Sequence, residues 1–144
     1  MADNSLTLTR LREKFAASVL ETHSFCGDDT AIIQPEAIVP VATYLKNDPD
    51  LDYNFLMDLT AVDCLNLGTP HRFEVVYHFF SLPKKHRIRI KTPLGGKSPQ
   101  LDSIASLWAG ADWYEREVWD MFGVKFRGHP NLKRIMLYEE FQGH

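Results

Sequence analysis

The stretch RFEVVYHFFSLPKKHRIRIKT, from Arg72 to Thr92, contains two runs of alternating apolar residues separated by a turn. Side chains at every second position of a β-strand lie on the same face, so both runs have the period of a strand. Pro83 and the two lysines after it are typical of a turn. The sequence therefore predicts a hairpin with strands at 72–82 and 86–92. The apolar residues that share a face in it are Phe73, Val75, Tyr77, Phe79, Ile88 and Ile90.

The second strand of this hairpin has a basic face. Arg87, Arg89 and Lys91 alternate with the two isoleucines. A short strand of this kind fits the edge of a sheet, where charged side chains discourage pairing with other chains, or a face that meets an acidic partner. Both interpretations are compatible with the sequence.

The residues before the hairpin predict two helices and two further strands. We expect an amphipathic helix from about Thr7 to Thr22, a short strand at 30–34, and a helix that starts at Pro35 and ends in the turn at 47–50. The apolar stripes of the two helices are Leu8, Leu11, Phe15 and Val19, and then Ile38, Val41, Ala42 and Leu45. The second strand, at 53–63, is expected to place Phe55, Met57, Leu59 and Ala61 on one face.

The residues after the hairpin complete the predicted architecture. A glycine-containing loop at 93–99 precedes a helical pattern from Leu101 to Phe122, which we expect to break at Gly110. Helices packed on one mixed or antiparallel sheet make a two-layer α+β fold. The sequence shows no repeat or linker, so residues 1–144 are predicted to form a single domain with an extended C-terminal arm.

The composition argues against several classes of protein. A net charge of −3 gives no electrostatic reason to expect binding to nucleic acid or to an anionic membrane surface. Cys26 and Cys64 cannot supply the Cys ligands of an iron–sulfur cluster or the closely spaced pairs of a structural zinc site, and we expect both to be reduced thiols. The N-terminus does not resemble a secretory signal, and the longest apolar runs are far shorter than the ~20 residues that span a bilayer. We therefore expect a soluble protein whose partners are other proteins.

The segment DWYEREVWDMF, from Asp112 to Phe122, predicts a helix with charged residues at informative positions. Asp112 fits a helix start at which Glu115 reaches back to the backbone, and Gly123 is placed to end the helix. Glu115 falls beside the apolar arc formed by Tyr114, Val118, Met121 and Phe122. If Glu115 does not cap the helix, we expect it to pair with Arg127 or Arg134.

The following segment, VKFRGHPNLKRIM, predicts an extended basic arm. Gly128 precedes a His129–Pro130 step, which favours extended backbone, and Lys133 and Arg134 follow. An arm of this kind, leaving a helix of the core, is suited to docking on another protein.

These two segments together resemble the signature of the C subunit of NADH–quinone oxidoreductase, the thirty-kilodalton subunit family of respiratory complex I. The pattern spans residues 115–136. It is met by Glu115, Arg116, Glu117, Asp120, Met121, Phe122, His129, Lys133, Ile135 and Met136. The stretches LMDLTAVD at 56–63 and RIKTPL at 89–94 also resemble this family.

The resemblance implies a structural role in the peripheral arm of a proton-translocating complex. The family binds no cofactor in this subunit, because FMN and the iron–sulfur clusters lie in other subunits. It implies the D subunit as the main partner, the B and I subunits as neighbours, and a peripheral location on the cytoplasmic face of the bacterial inner membrane. The isolated chain is then not expected to be catalytic. The expected contact residues are Glu115, Arg116, Glu117, Asp120, His129, Lys133 and Arg134, with the basic face of Arg87, Arg89 and Lys91 as a second surface.

The C-terminus departs from the family pattern. Members continue after the signature with an acidic–aromatic segment, Gly-His-Pro-Leu-Arg-Lys and a tail that embraces the D subunit. The residues LYEEFQGH, at 137–144, resemble the beginning of that segment. We therefore expect the natural protein to continue beyond His144.

Alternative functions remain compatible with the sequence. Related C-like subunits occur in membrane-bound hydrogenases and in complexes that oxidise other donors, and a stand-alone protein-binding module is an alternative of another class. His78 and His86 would approach each other across the hairpin, but a metal site needs a third ligand. Residues 95–98 resemble the end of a phosphate loop without its first glycine. Glu115, Glu117 and Asp120 would need an arranged pocket to act as acid–base carboxylates.

Overall fold

The predicted hairpin forms the middle of a sheet in a computed structural model, which describes residues 5–25, 28–64, 72–95 and 99–129. The sheet has five strands in the order β1-β2-β5-β4-β3. The β2–β5 pair is parallel, whereas the other neighbouring pairs are antiparallel. The strands are β1 Val19–Phe25, β2 Asp28–Ile33, β3 Phe55–Asp63, β4 Phe73–Ser81 and β5 His86–Leu94.

The helices and a small second sheet complete the described part of the chain. The helices are α1 Leu6–Lys14, α2 Ile38–Asn47, which follows a 3₁₀ turn at Pro35–Ala37, and α3 Ala111–Phe122. The short strands β6 Gln100–Asp102 and β7 Lys125–Arg127 pair in parallel. Apolar side chains of the helices and of one sheet face form a single core cluster. The predicted α+β fold, with helices packed on a mixed sheet, is therefore confirmed.

The basic face of β5 lies in the interior of the sheet and not at its edge. Strand β5 is hydrogen-bonded to β2 on one side and β4 on the other, so the edge interpretation is wrong. The alternation itself is confirmed, because Ile88 and Ile90 are buried. The basic side chains interact with polar groups on neighbouring strands. These contacts are Arg87 Nε to Asp28 Oδ1 at 3.3 Å, Arg89 Nη1 to Thr30 Oγ1 at 3.2 Å and Lys91 Nζ to Glu74 Oε1 at 3.8 Å.

Strand β3 contains a bulge that the alternation did not predict. Its pairing with β4 shifts register between Leu56 and Asp58, so Met57 is the extra residue. Leu56 is consequently buried together with Leu59, whereas Phe55 and Met57 are 52% and 41% exposed. The prediction that Phe55 and Met57 share the buried face is wrong, because one inserted residue reverses the face of those before it.

Two predicted helices are shorter than expected, because strand pairing replaces part of each. Helix α1 ends at Lys14, and the backbone from Val19 onward pairs with β2. Likewise, Leu101 pairs with Phe126 in the small sheet, so the predicted helix from Leu101 begins only at Ala111. Gly110 precedes the start of the helix and does not interrupt one, because residues 101–109 are not helical.

We predict that truncating a core leucine destabilises the fold far more than truncating an exposed one. Leu45 on α2 is 0% exposed, whereas Leu82 after β4 is 64% exposed. Leu45→Ala should therefore lower the free energy of unfolding by about 2–5 kcal/mol, and Leu82→Ala by less than about 0.5 kcal/mol. Urea denaturation of both variants measures the difference, and equal losses would contradict the assigned core.

Candidate functional site: the signature helix and the chain after it

Helix α3, which we call the signature helix, is held between two glycines and the edge of the large sheet. It begins after Gly110, and it ends at Gly123, whose φ of +75° is a conformation that side chains other than glycine rarely adopt. Val118 is buried in the core. The hydroxyl of Tyr114 donates a hydrogen bond of 3.0 Å to the carbonyl of Met57 in the bulge of β3. The bulge therefore provides an acceptor that attaches the helix to the sheet edge.

Glu115 is fully buried and connects the signature helix to the end of β6. Its Oε2 accepts a hydrogen bond of 2.8 Å from the backbone N–H of Ile104, and its Oε1 lies 2.6 Å from the hydroxyl oxygen of Ser103. That oxygen already accepts a bond from the N–H of Ala105, so the Ser103 proton is free to be donated to Glu115. Both carboxyl oxygens are thus satisfied inside the protein.

The predicted roles of Asp112, Glu115 and Arg127 need correction. The helix starts at Ala111 with Gly110 at its cap, so Asp112 lies within the first turn and Glu115 does not reach back to a cap. Arg127 does not pair with Glu115, because its Nε donates to Asp102 Oδ1 at 2.9 Å, on the exposed side of the small sheet. Arg134, the other predicted partner, lies outside the described residues.

His129 brings the chain back against the start of the signature helix. Gly128 turns the backbone at a φ of +79°, and the imidazole of His129 is buried. Its Nε2 lies 3.1 Å from the carbonyl oxygen of Asp112 and 3.1 Å from Asp112 Oδ1. The same nitrogen lies 3.8 Å from Glu115 Oε1. One imidazole therefore faces two carboxyl groups of one helix.

The position of Glu115 changes its protonation. Burial raises the pKa of Glu115 from 4.5 to about 7, and the charge of Asp112 adds to this shift. The hydrogen bonds from Ser103 and Ile104 act in the opposite direction, because they favour the ionised form. Glu115 therefore exchanges its proton near neutral pH.

The outer side of the signature helix carries large exposed side chains. Trp113 is 54% exposed and Met121 is 43% exposed. The guanidinium of Arg116 lies 5.8 Å from the centre of the Trp113 ring, a distance that allows a cation–π contact. Aromatic, Met and Arg side chains are enriched in protein interfaces. We name Trp113, Arg116, Glu117 and Met121 the outer helix face.

The predicted contact residues divide between this face and the interior. Arg116 and Glu117 are partly exposed, whereas Glu115, Asp120 and the side chain of His129 are buried within the chain. Arg116 and Glu117 can therefore contact a partner directly in this conformation. The buried residues can affect binding only through the position and shape of the helix. Lys133 and Arg134 lie outside the described residues.

Sequence reasoning missed the exposed apolar residues of the outer helix face. The predicted buried arc includes Met121, and the predicted contact residues leave out Trp113. The available signal was the helical wheel, on which Trp113 lies about 140° from the buried Val118. A large aromatic on the side opposite the core is a candidate contact residue.

A second exposed apolar surface lies beside the basic face of β5. Phe55, Met57, Phe80 and Leu82 line a shallow groove there, next to the side chain of Arg87. This groove arises from the bulge in β3, which turns Phe55 and Met57 away from the core. It extends the second surface expected from the basic strand.

The alternative metal and acid–base sites are not assembled. His78 lies opposite Arg89 on the basic face, whereas His86 stacks on the buried Tyr53 with the ring centres 4.5 Å apart. These histidines therefore occupy opposite faces of the sheet. Within the described ranges, no group of three or more His, Cys, Asp or Glu residues could hold a metal ion. Glu115 and Glu117 point to opposite sides of the helix, so they do not form an acid–base pair.

The cysteines and the phosphate-loop resemblance are only partly covered by the described residues. Cys64 is a buried free thiol, and Cys26 lies outside the described ranges. Residues 96–98, which carry most of the resemblance to a phosphate loop, also lie outside them.

We predict that Glu115 contributes a loss of stability as the pH rises from about 5 to about 7, and that Glu115→Gln removes this contribution. Glutamate has an ordinary pKa of 4.5 and a pKa of about 7 in this fold. Between these values the folded state holds a proton that the unfolded state has released, so the free energy of unfolding falls as the pH rises. The titration of Glu115 changes the free energy of unfolding by at most about 3 kcal/mol.

Urea denaturation at several pH values, compared between the wild-type protein and the variant, isolates the contribution of Glu115. Glu117→Gln is the matched control, because it removes a carboxylate from the outer helix face and should leave the pH dependence unchanged. Identical pH dependence in the wild-type protein and in Glu115→Gln would show that Glu115 does not titrate in this range.

Comparison with known proteins identifies the family. The family described as “Respiratory-chain NADH dehydrogenase, 30 Kd subunit” matches residues 31–144. The C subunit of the NADH-quinone oxidoreductase of Citrifermentans bemidjiense is 45% identical over 144 residues, which are 100% of this chain and 87% of that protein. The C subunit from Roseiflexus castenholzii is 44% identical over 142 residues, which are 99% of this chain and 80% of that protein.

Solved structures share the fold. Nqo5, as a trypsin-resistant fragment (1–134), superposes with a TM-score of 0.76 at 28% identity, covering 88% of this chain and 100% of that chain. A chain of the membrane-bound sulfane sulfur reductase (MBS), an archaeal respiratory membrane complex, has a TM-score of 0.74 at 20% identity, which shows similarity of fold alone. It covers 92% of this chain and 75% of that one. The resemblance found in residues 115–136 is confirmed, and the chain belongs to the family of the 30-kDa subunit of the respiratory-chain NADH dehydrogenase.

Proposed function

We propose that the chain is a structural subunit of the peripheral arm of a proton-translocating NADH–quinone oxidoreductase. Its membership of the 30-kDa subunit family, matched over residues 31–144, is the observation that carries this proposal. In this role the chain supports electron transfer from NADH to quinone by holding neighbouring subunits at fixed distances. The oxidoreductase activity belongs to the complex, and the isolated chain is not catalytic.

The cofactors of the complex, FMN and iron–sulfur clusters, are proposed to lie in partner subunits. Support for this division comes from the residues available here. The whole chain has two cysteines, fewer than the four that an iron–sulfur cluster typically takes. The described part of the chain also brings together no metal-binding group of His, Cys, Asp and Glu.

The outer helix face is the proposed main docking surface, and the D subunit is the proposed main partner. Trp113 and Arg116 are already in contact with each other, so less side-chain freedom is lost when a partner covers them. Lys133 and Arg134 are proposed to extend this surface. Glu115, Asp120 and His129 are proposed to contribute indirectly, by holding the helix in place, because their side chains are buried.

The basic face of Arg87, Arg89 and Lys91 is a weaker second surface, for which the B and I subunits are the proposed neighbours. Its charges are partly compensated by Asp28 and Glu74, which reduces their attraction for an acidic partner. The apolar groove of Phe55, Met57, Phe80 and Leu82 would add contact area next to it.

We propose a peripheral location on the cytoplasmic face of a bacterial inner membrane, reached through the complex. Among the described residues, no helix is long and apolar enough to cross a bilayer. Attachment through other subunits is consistent with that finding.

A second candidate function is that of a C-like subunit in a different respiratory complex. The shared fold with a chain of the archaeal sulfane sulfur reductase is the observation that favours it. A stand-alone protein-binding module is the remaining alternative. The neighbouring subunits recovered with the chain distinguish the three: quinone-reductase subunits, hydrogenase-type subunits, or neither.

We predict that changes on the outer helix face weaken assembly without unfolding the chain. Trp113→Ala should reduce the amount of the D subunit that co-purifies with the chain by at least about 10-fold, because truncating an interface Trp commonly costs more than about 2 kcal/mol. Combined charge reversal at Glu117 and Arg134 should have the same effect. Quantitative mass spectrometry of complexes purified from native membranes measures the loss.

Lys84→Glu is the matched control, because it reverses an exposed charge in the turn between β4 and β5. It should leave the recovery of the D subunit unchanged. Melting curves of each variant separate a lost contact from a lost fold. Intact assembly in both outer-face variants would contradict this placement of the interface.

A further inference from the structure

An exposed apolar groove lies at the end of the sheet where β4 turns into β5. Phe55 and Leu82 are 52% and 64% exposed, and they line the groove together with Met57 and Phe80. The side chain of Arg87, which is 63% exposed, borders it. Contiguous apolar patches on a protein surface commonly mark interaction sites. The groove therefore suits an occupant that combines apolar side chains with a carboxylate.

The described chain leads back toward this groove. Nε2 of His129 lies 3.1 Å from the carbonyl oxygen of Asp112, in the first turn of the signature helix. Two residues further along that helix, Tyr114 donates its hydrogen bond of 3.0 Å to the carbonyl of Met57, which lines the groove. Two polar contacts and less than one turn of helix therefore separate His129 from the groove. The residues after His129 start close to it.

The sequence after His129 has the composition that the groove suits. Residues 130–134 are followed by the run IMLYEEF at 135–141. Its apolar and aromatic residues flank two adjacent carboxylates, Glu139 and Glu140. Eight extended residues span up to about 26 Å, which is close to the diameter of a small domain. The chain is therefore long enough to bring this run from His129 to the groove.

We propose that residues 135–141 fold back into the apolar groove of the same chain. Their apolar side chains cover the groove, and their carboxylates face Arg87. That guanidinium has donors beyond the Nε that lies 3.3 Å from Asp28 Oδ1, because it carries five N–H groups. The inference goes beyond the proposed function, and it holds whichever complex the chain joins.

The short connection favours this chain's own segment over the segment of a second copy. Residues 130–134 give the tethered segment an effective concentration in the millimolar range, far above the micromolar concentration of a second copy in solution. In this arrangement Lys133 and Arg134 lie between the signature helix and the groove, beside the outer helix face that they are proposed to extend. The groove then adds contact area for a partner through the segment that covers it.

Oxidation of methionines in the full 144-residue chain tests this arrangement. Met57 in the groove and Met121 on the outer helix face are 41% and 43% exposed in the described structure, so an open groove predicts similar rates of sulfoxide formation with hydrogen peroxide. With the segment in place, Met57 should react at least about 5-fold more slowly than Met121, because a segment docked about 80% of the time exposes Met57 for only about a fifth of it. Peptide mass spectrometry measures both rates in one sample.

Substitutions within the segment test whether it is the cover. Combined Leu137→Asp and Phe141→Asp should raise the oxidation rate of Met57 to that of Met121, because burying a charged side chain in an apolar groove is unfavourable. Asn131→Asp is the matched control, since it adds a carboxylate before the segment and should leave Met57 slow. Melting curves check that each variant is folded.

A charge exchange tests the contact with Arg87. Arg87→Glu should accelerate the oxidation of Met57, because it places a carboxylate opposite those of the segment. Adding Glu139→Arg and Glu140→Arg to that variant should slow the oxidation again. If Arg87→Glu acts only through its lost contact with Asp28, these changes in the segment give no rescue, and the proposed pairing is wrong.

Four further results would overturn the proposal. Equal oxidation rates of Met57 and Met121 in the wild-type chain show that the groove is open. Protection of Met57 that persists in the Leu137→Asp and Phe141→Asp variant assigns the cover to another segment, and protection that disappears on dilution assigns it to a second copy. If Met57 is protected only within the purified complex, a partner subunit occupies the groove instead.

Discussion

Glu115 places a carboxyl group inside the protein, and such a group is tolerated only where hydrogen-bond partners replace water. Ser103 and the N–H of Ile104 satisfy its two oxygens, and both belong to the segment that follows β6. The short parallel pair of β6 and β7 brings that segment beside the chain leaving the signature helix. Glu115 therefore joins the signature helix to the segment after β6, and the small sheet holds that segment beside the chain that leads to His129.

The charged motif of the signature helix therefore contains both buried residues and accessible ones. The pattern from Glu115 to Asp120 alternates between the interior and the outer helix face. Glu115 and Asp120 are buried, and Glu115 joins the helix to Ser103 and Ile104, while Arg116 and Glu117 are partly exposed beside Trp113. A sequence motif does not distinguish these two uses, because both require charged residues at fixed positions. Only the packing around the helix shows which of these residues are buried in the protein and which are accessible to a partner.

Packing between distant segments also explains which parts of the fold could not be predicted from the sequence. Strands β4 and β5 were predicted correctly, because both are regular and their alternation matches their buried faces. The prediction failed at Met57, where a bulge reverses the alternation, and at Val19 and Leu101, where pairing with distant strands replaces a helical pattern. The predicted Glu115–Arg127 pair failed for a similar reason, since Asp102 is brought next to Arg127 only by the pairing of β6 with β7.

The two exposed surfaces are not equivalent as docking sites. On the basic face, Arg87 and Lys91 pair with Asp28 and Glu74 from adjacent strands, so a partner would have to compete with these ion pairs. On the outer helix face, the guanidinium of Arg116 lies 5.8 Å from the centre of the exposed Trp113 ring, so a large apolar side chain and a cation lie side by side. Trp and Arg are among the side chains that are enriched at the residues contributing most to binding in protein interfaces. We therefore propose the signature helix, rather than the basic face, as the main contact.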